Sequence, residues 1–351
     1  FGRDDDDDDA GGGLLRVPSD ASPLVSTFVR GREFLVKRDD QWRLAGPLGA
    51  GVSGNKARKL LKFAVEGPAR NASVVASMGG HQSNAMVALA ALCHARGVRF
   101  LYLAKPVPRW LRRYPCGNYA RGLALGVELV PLPVDAYRRC AADGAFRDDL
   151  IADLVGWHDD DDDDPGGESP PEDDHDVCAT ADFSDAAGAR RPGDAALDES
   201  GGDSRRRTSV AWVPQGGASG DAELGLRRLA RELVDATHDP TSLRVVVPAG
   251  TGTTALFLAR HLAPHGARVF AVPCATSATG LETQMRALDA ATGGHGVLPA
   301  VLDRPCPDGE PRYRFGVPSR RDYRVWTELR EAGLAVDLLY APHAWDVLLR
   351  T

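Results

Sequence analysis

The chain has 351 residues, 43% of them hydrophobic, and a formal net charge of -7. That length and apolar content suit two domains or one large α/β unit, and no uninterrupted apolar run is long enough to span a bilayer. Two homopolymer runs, Asp4 to Asp9 and Asp159 to Asp164, supply twelve of the acids, so the remainder carries +5, with no basic stripe of the kind that binds nucleic acid.

Residues 1–13 are almost all Asp and Gly, a composition that predicts a disordered acidic tail. Glu33 to Arg38 reads as a short strand. Lys56 to Glu66 has helical apolar spacing at Leu60, Leu61, Ala64 and Val65. Ser73 to Ser77 reads as a buried strand, followed by a Gly-Gly loop and an Ala-rich helix from Ser83 to Arg96 that stops at Gly97. Next come a strand at Val98 to Leu103, a short helix at Tyr119 to Leu125 and a strand at Val127 to Leu132. A helical stretch follows from Ala136 to Val155. This alternation of β and α argues for a parallel sheet with both faces covered.

Between Gly156 and Arg207 the periodicity stops, and Asp, Pro and Gly dominate, which predicts a disordered surface insertion. Periodicity returns with a strand at Ser209 to Val213, a helix at Ala222 to Thr237 and a strand at Leu243 to Val247. A helix reaching about Leu262 follows, then a strand at Arg268 to Val272 and a helix at Leu281 to Ala291. The chain closes with a helix at Tyr323 to Ala332 and an apolar strand at Val336 to Tyr340. The six cysteines form no C-x-x-C pair. They read as reduced thiols of an intracellular protein, cytoplasmic or organellar, and not as a disulfide framework or zinc site.

Three loops carry chemistry. Lys56 follows Gly54-Asn55 at a helix start; such a lysine is by default solvated, but a partly desolvated one can serve as a Schiff-base amine. Ser83 and Asn84 follow Gly79-Gly80 at another helix start. Capping and anion binding use the same orphan N–H groups there, and the glycines let a ligand approach the backbone. Thr251-Gly252-Thr253-Thr254 follows the strand Val245-Val246-Val247, where backbone N–H groups and hydroxyls suit a phosphate. It is not a Walker A loop, because no Gly-Lys-Ser/Thr follows. Tyr340 closes its apolar strand. The acidic runs, with His158 and His175 nearby, lack the fixed geometry of a metal site, and no metal is expected.

An amine, a carboxylate site and a phosphate site are the parts a pyridoxal-phosphate enzyme needs. Taken in order, Gly54 to Lys59 (GNKARK), Gly79 to Asn84 (GGHQSN), Pro214 to Ser219 (PQGGAS) and Thr251 to Thr254 (TGTT) resemble the motifs of the 1-aminocyclopropane-1-carboxylate deaminase and D-cysteine desulfhydrase family. The likeness runs from about Val36 to Leu349 outside the insertion. It implies an α/β fold of two three-layer domains of the tryptophan-synthase-β-like type, with pyridoxal 5'-phosphate as cofactor. The larger domain would comprise residues 14–57 and 208–351, the smaller one residues 58–155, with 156–207 as the insertion. By resemblance, Lys56 holds the cofactor and moves the α-proton, while Lys59 and Thr251, Gly252, Thr253 and Thr254 hold its phosphate. Asn84 bonds the ring hydroxyl. Gln82, Ser83 and Asn84 meet the substrate, and Tyr340 faces it. Ser83 and Tyr340 join Lys56 as catalytic groups.

The expected activity is that of a lyase acting on a small amino acid, D-cysteine before aminocyclopropane carboxylate, in a homodimer. Ala341 stands where the ring-opening deaminases carry a glutamate, and Phe315 where they carry a second tyrosine. His81 and Ala85 also depart from the family pattern. The chain opens at Phe1 and ends before the family's His-Thr-Gly-Gly segment. These departures suit a fragment or a catalytically impaired paralogue as the alternative.

Overall fold

Each βα pair expected from Ser73 onward folds as a strand followed by a helix in the structure, a computed structural model that describes residues 14–68, 72–160, 209–304, 313–317 and 319–351. The acidic tail 1–13 and all of the insertion beyond Asp160 lie outside the described residues. An antiparallel hairpin opens the chain, β1 (Leu24–Val29) with β2 (Arg32–Lys37). Two short helices follow, α1 (Gly54–Lys59) and α2 (Leu61–Glu66). They replace the single helix expected here, because Leu60 leaves helical geometry at φ -100° and ψ 13°.

β3 (Val74–Gly79) is buried along its whole length, as a central parallel strand must be when both faces are covered. It leads through a tight loop to α3 (Asn84–His94) and then to β4 (Arg99–Ala104). The short α4 (Arg109–Arg113) and α5 (Gly117–Ala124) precede β5 (Val127–Pro131). α6 (Val134–Ala142) and α7 (Gly144–Asp160) form a compact unit of their own, Val134–Thr208, described as far as Asp160. The sequence favours one helix here. Asp143 divides it, its Oδ1 accepting from Phe146 N at 3.1 Å and so capping α7. α7 continues five residues past Val155, into the segment expected to be disordered.

The other unit is Phe1–Pro133 with Ser209–Thr351. It contains β6 (Val210–Val213), α8 (Glu223–Asp235), β7 (Arg244–Ala249), α9 (Thr253–Leu262), β8 (Arg268–Pro273), α10 (Ala278–Ala291), β9 (Ala300–Val301), α11 (Arg320–Glu331) and α12 (Ala341–Leu349). One parallel sheet has the order β5-β4-β3-β6 and a second the order β7-β8-β9. β6 pairs in register with β3, from Val74↔Val210 to Ser77↔Val213. The strand after the insertion therefore completes the sheet of the 58–155 stretch, whereas the sequence reading placed it with 208–351. α8 buries Leu226, Leu229, Ala230 and Leu233, the i, i+3, i+4, i+7 stripe of an amphipathic helix. α9 is buried almost all round, beside β7 and β8.

The strand expected at Val336 to Tyr340 does not form. Asp337 Oδ1 accepts from the N–H groups of both Leu339 and Tyr340, and that side-chain competition for backbone donors makes a turn that leads into α12.

Candidate active site

The site is built where α1 meets the loops after β3, β6 and β7. α1 is held by Arg58, whose side chain is fully buried. Its guanidinium donates to both oxygens of Glu232 at 2.6 and 2.8 Å, to Asp39 Oδ1 at 2.9 and 3.0 Å, and to Ser22 Oγ at 3.3 Å. It stacks over the Trp42 ring at 3.9 Å, and Lys37 joins Glu232 at 2.8 Å. Burial pushes the Glu232 carboxyl up, but Arg58 and Lys37 together hold it below its ordinary value. α8 crosses so close that a Cβ on Gly225 would collide with the Arg58 carbonyl. Lys56, two residues before Arg58, and Lys59, directly after it, thereby acquire fixed positions on α1.

Both lysines are short of solvent. Burial pushes the Lys56 amine down to about 8, against the opposing charge of Asp337. Lys59 is buried and lies well below the usual lysine range, first through burial and then through the Lys56 charge. Among the described residues Lys59 makes no ion pair. Facing it is a cradle. Gly216 and Gly217 both adopt φ +68°, a conformation that favours glycine. A Cβ on Gly216 would lie 3.3 Å from the Thr251 methyl and 4.0 Å from Lys59 Nζ. The Thr251 and Thr253 hydroxyls are 2.8 Å apart, and Gly252 precedes α9 with Thr253 and Thr254 in its first turn. Orphan N–H groups, hydroxyls and the Lys59 amine converge on one space, and among the described residues no carboxylate pairs with that amine, the arrangement expected around a phosphate. These residues fit the phosphate of pyridoxal phosphate.

The loop after β3 presents Ser83 and Asn84. Ser83 is the N-cap of α3, its Oγ accepting from Ala85 N at 3.2 Å and Met86 N at 3.3 Å, with its own proton left to donate. Asn84 Oδ1 accepts from Asn118 Nδ2 at 2.7 Å. Asn118 was not singled out from the sequence, where an Asn near a helix start signals only a cap. Gln82 is engaged by the protein: Oε1 accepts from Asn118 N at 2.8 Å and Tyr119 N at 3.3 Å, while Nε2 donates to the Cys116 carbonyl at 3.2 Å. Its side chain braces the 116–119 segment beneath Ser83 and Asn84. His81 is partly buried, its pKa lowered by burial and by Lys105. Ala85 packs inside α3.

Tyr340 lies on the other side. Its hydroxyl would be 3.4 Å from a Cβ on Gly250, next to the threonine loop, and its ring is 5.1 Å from Phe315. Burial raises the Tyr340 hydroxyl to about 12. Ala341, buried at the head of α12, brings no charge. Lys56, Lys59, Thr251, Thr253 and Tyr340 thus belong to one neighbourhood. Asn118 and Asp337 are supporting residues that sequence patterns did not disclose, and Arg58, quoted within the GNKARK motif, had no part assigned to it there.

Neither a protein-family model nor a curated protein matches the chain. Solved structures do. An ACC deaminase homologue superposes with a TM-score of 0.62 at 17% identity, over 96% of this chain and 86% of its own. The chain has the fold of that protein. A hydrogen sulfide-producing enzyme from Fusobacterium nucleatum (TM-score 0.48, 12% identity, 93% of this chain and 88% of its own) and an O-acetylserine dependent cystathionine β-synthase from Helicobacter pylori (0.49, 12%, 94% and 86%) are also similar. The α/β, tryptophan-synthase-β-like fold expected from the motifs is borne out.

Proposed function

We propose that the protein is a pyridoxal-phosphate-dependent lyase acting on a small amino acid. The observation that carries this reading is the pair of desolvated amines, Lys56 and Lys59, beside a glycine and threonine cradle where, among the described residues, no carboxylate pairs with Lys59. Lys59, Gly216, Gly217 and the 251–254 loop would hold the phosphate, and Lys56 Nζ is the amine to which the cofactor's aldehyde would attach. The bound group would supply an electron sink for the bonds at the substrate's α-carbon. The chain supplies the rest. Lys56, titrating near 8, can take up and release a proton close to neutral pH. The head of α3, with Ser83 and Asn84, receives the substrate carboxylate. Tyr340, its proton firmly held, donates a hydrogen bond without ionising.

Among small amino acids we favour D-cysteine, cleaved with water to pyruvate, ammonia and sulfide. Ala341 and Phe315 support this choice over cyclopropane opening, since neither offers a carboxylate or hydroxyl beside Tyr340. The test is the absorbance spectrum of the protein with pyridoxal phosphate, beside Lys56→Ala. A borohydride-reducible band in the wild type that is lost in the variant is the expected result. Its absence from the wild type would end the cofactor reading. Sulfide release from L-cysteine but not D-cysteine would end the stereochemical part.

A further inference from the structure

The outer face of α4 has no part in the fold or in the proposed reaction. Between Ala104 and Val127 the chain carries five basic residues and no acid. Three of them, Arg109, Arg112 and Arg113, lie on α4. Leu111 is the residue that α4 buries, in a small core with Val107 and Tyr119. At about 100° per residue, the three arginines and Trp110 fall on the side away from Leu111. The arginines are exposed and, among the described residues, enter no ion pair. Trp110 is 59% exposed and Tyr114, directly after the helix, 65%. Arg113 lies over the Tyr114 ring, 5.6 Å from its centre. Like charges set this close repel one another, so the face favours an occupant that brings several negative charges at once.

The chain itself contains such an anion. Asp4 to Asp9 is a run of six carboxylates, joined to Leu14 through Ala10 and Gly11 to Gly13. Leu14 is anchored beside the C-terminal end of α3. Its carbonyl accepts from Leu48 N at 2.9 Å, and the Leu48 carbonyl accepts from Arg96 Nη1 at 3.0 Å. The other end of α3 begins at Asn84, which meets Asn118 in the first turn of α5 at 2.7 Å. α4 ends at Arg113, just before α5. α3 has eleven residues and is therefore about 16 Å long. An extended chain from Asp4 to Gly13 covers about 33 Å, more than the helix that lies between the anchor and this end of the fold. One exposed ion pair is weak by itself, but several acids tethered at a roughly millimolar effective concentration act together.

We infer that α4 is a docking face for the chain's own acidic run: Asp4 to Asp9 pair with Arg109, Arg112 and Arg113, across the face that Trp110 and Tyr114 flank. Nothing in this docking depends on pyridoxal phosphate.

Phenylglyoxal labels accessible arginines, and peptide mass spectrometry gives a rate for each. The full chain is compared with a full chain in which Asp4 to Asp9 are all changed to Asn. Arg268, exposed at the start of β8, is the reference. At low salt the three arginines of α4 are expected to label roughly threefold or more slowly in the wild type than in the Asn-run chain. At about 1 M NaCl, where screening acts within about 3 Å, the difference is expected to vanish. Equal rates in the two chains at low salt overturn the docking. Protection that survives the Asn run but is lost when Asp159 to Asp164 are changed instead overturns it too, because the other run is then the occupant. Protection that grows with protein concentration places the run on a second copy and overturns docking within one chain. The salt step needs no substitution, so a variant that fails to fold leaves the test intact: wild-type rates at Arg109, Arg112 and Arg113 that do not rise with salt relative to Arg268 overturn the docking.

Discussion

Replacing Arg58 by Met is the sharpest perturbation of the scaffold behind the site. The substitution keeps most of the side-chain volume, so what it removes is charge and hydrogen bonding. Asp39 and Glu232 each lose a short, charge-assisted contact, and Trp42 loses the guanidinium stacked on its face. Breaking a buried pair by deleting one partner costs about 3–5 kcal/mol, because the other charge stays behind. Here Glu232 retains Lys37 at 2.8 Å and Arg228 at 3.6 Å, and Asp39 retains the Ser22 hydroxyl at 3.0 Å. The residual compensation places the expected loss near the lower bound, about 3 kcal/mol. For a chain of this size, at about 2.1 cal/mol/K of unfolding entropy per residue, that is a fall in Tm of about 4 °C. Scanning calorimetry on cofactor-free protein would measure it. A double cycle with Glu232→Met should recover about 2 kcal/mol, since the orphaned carboxylate goes too. An Arg58→Met protein melting within about 1 °C of wild type would refute the argument that this network holds α1.

Two further outcomes follow from the geometry. Lys56 titrates near 8 in the folded chain and at 10.5 when unperturbed, so between those values the unfolded chain binds a proton the folded one has lost, and stability rises with pH. Lys56→Met should therefore stabilise the cofactor-free protein most below pH 8. The gain should shrink through that window, as read by urea unfolding at several pH values, and a pH-independent gain would contradict the desolvated amine. Asn118→Ala deletes bonds of 2.7 Å to Asn84 Oδ1 and 3.0 Å to the Gln82 carbonyl. At about 1 kcal/mol for a bond that orients Asn84, pyridoxal phosphate should bind roughly five- to tenfold more weakly. An unaltered Kd in a fluorescence titration would remove Asn118 from the site.

The repeating βα elements were legible because their signals are local. The run VVAS followed by Gly79-Gly80 and an Ala-rich segment can hardly be anything but a buried strand, a loop and a helix. Ser83, Asn84 and the threonine loop drew notice for a related reason, since each occupies a helix start, where the chain leaves N–H groups free. Lys59, the last residue of α1, took its part only from the resemblance of the whole motif.

The elements that went astray share the opposite property. β6 belongs beside β3 because of pairing across more than 130 positions, with an insertion between. The apolar run at 336–340 promised a strand, yet one carboxylate within it captured two backbone donors and turned the chain. The sequence by itself determined the order of elements and the chemistry available at each loop, since periodicity and capping act within a few residues. Only the tertiary structure decided which groups meet and how strongly each holds its proton. Arg58 reaches Glu232 across 174 residues, and Lys56 owes its titration near 8 to neighbours brought by separate segments. Burial and Coulomb interaction depend on distance in space, which separation along the chain does not fix.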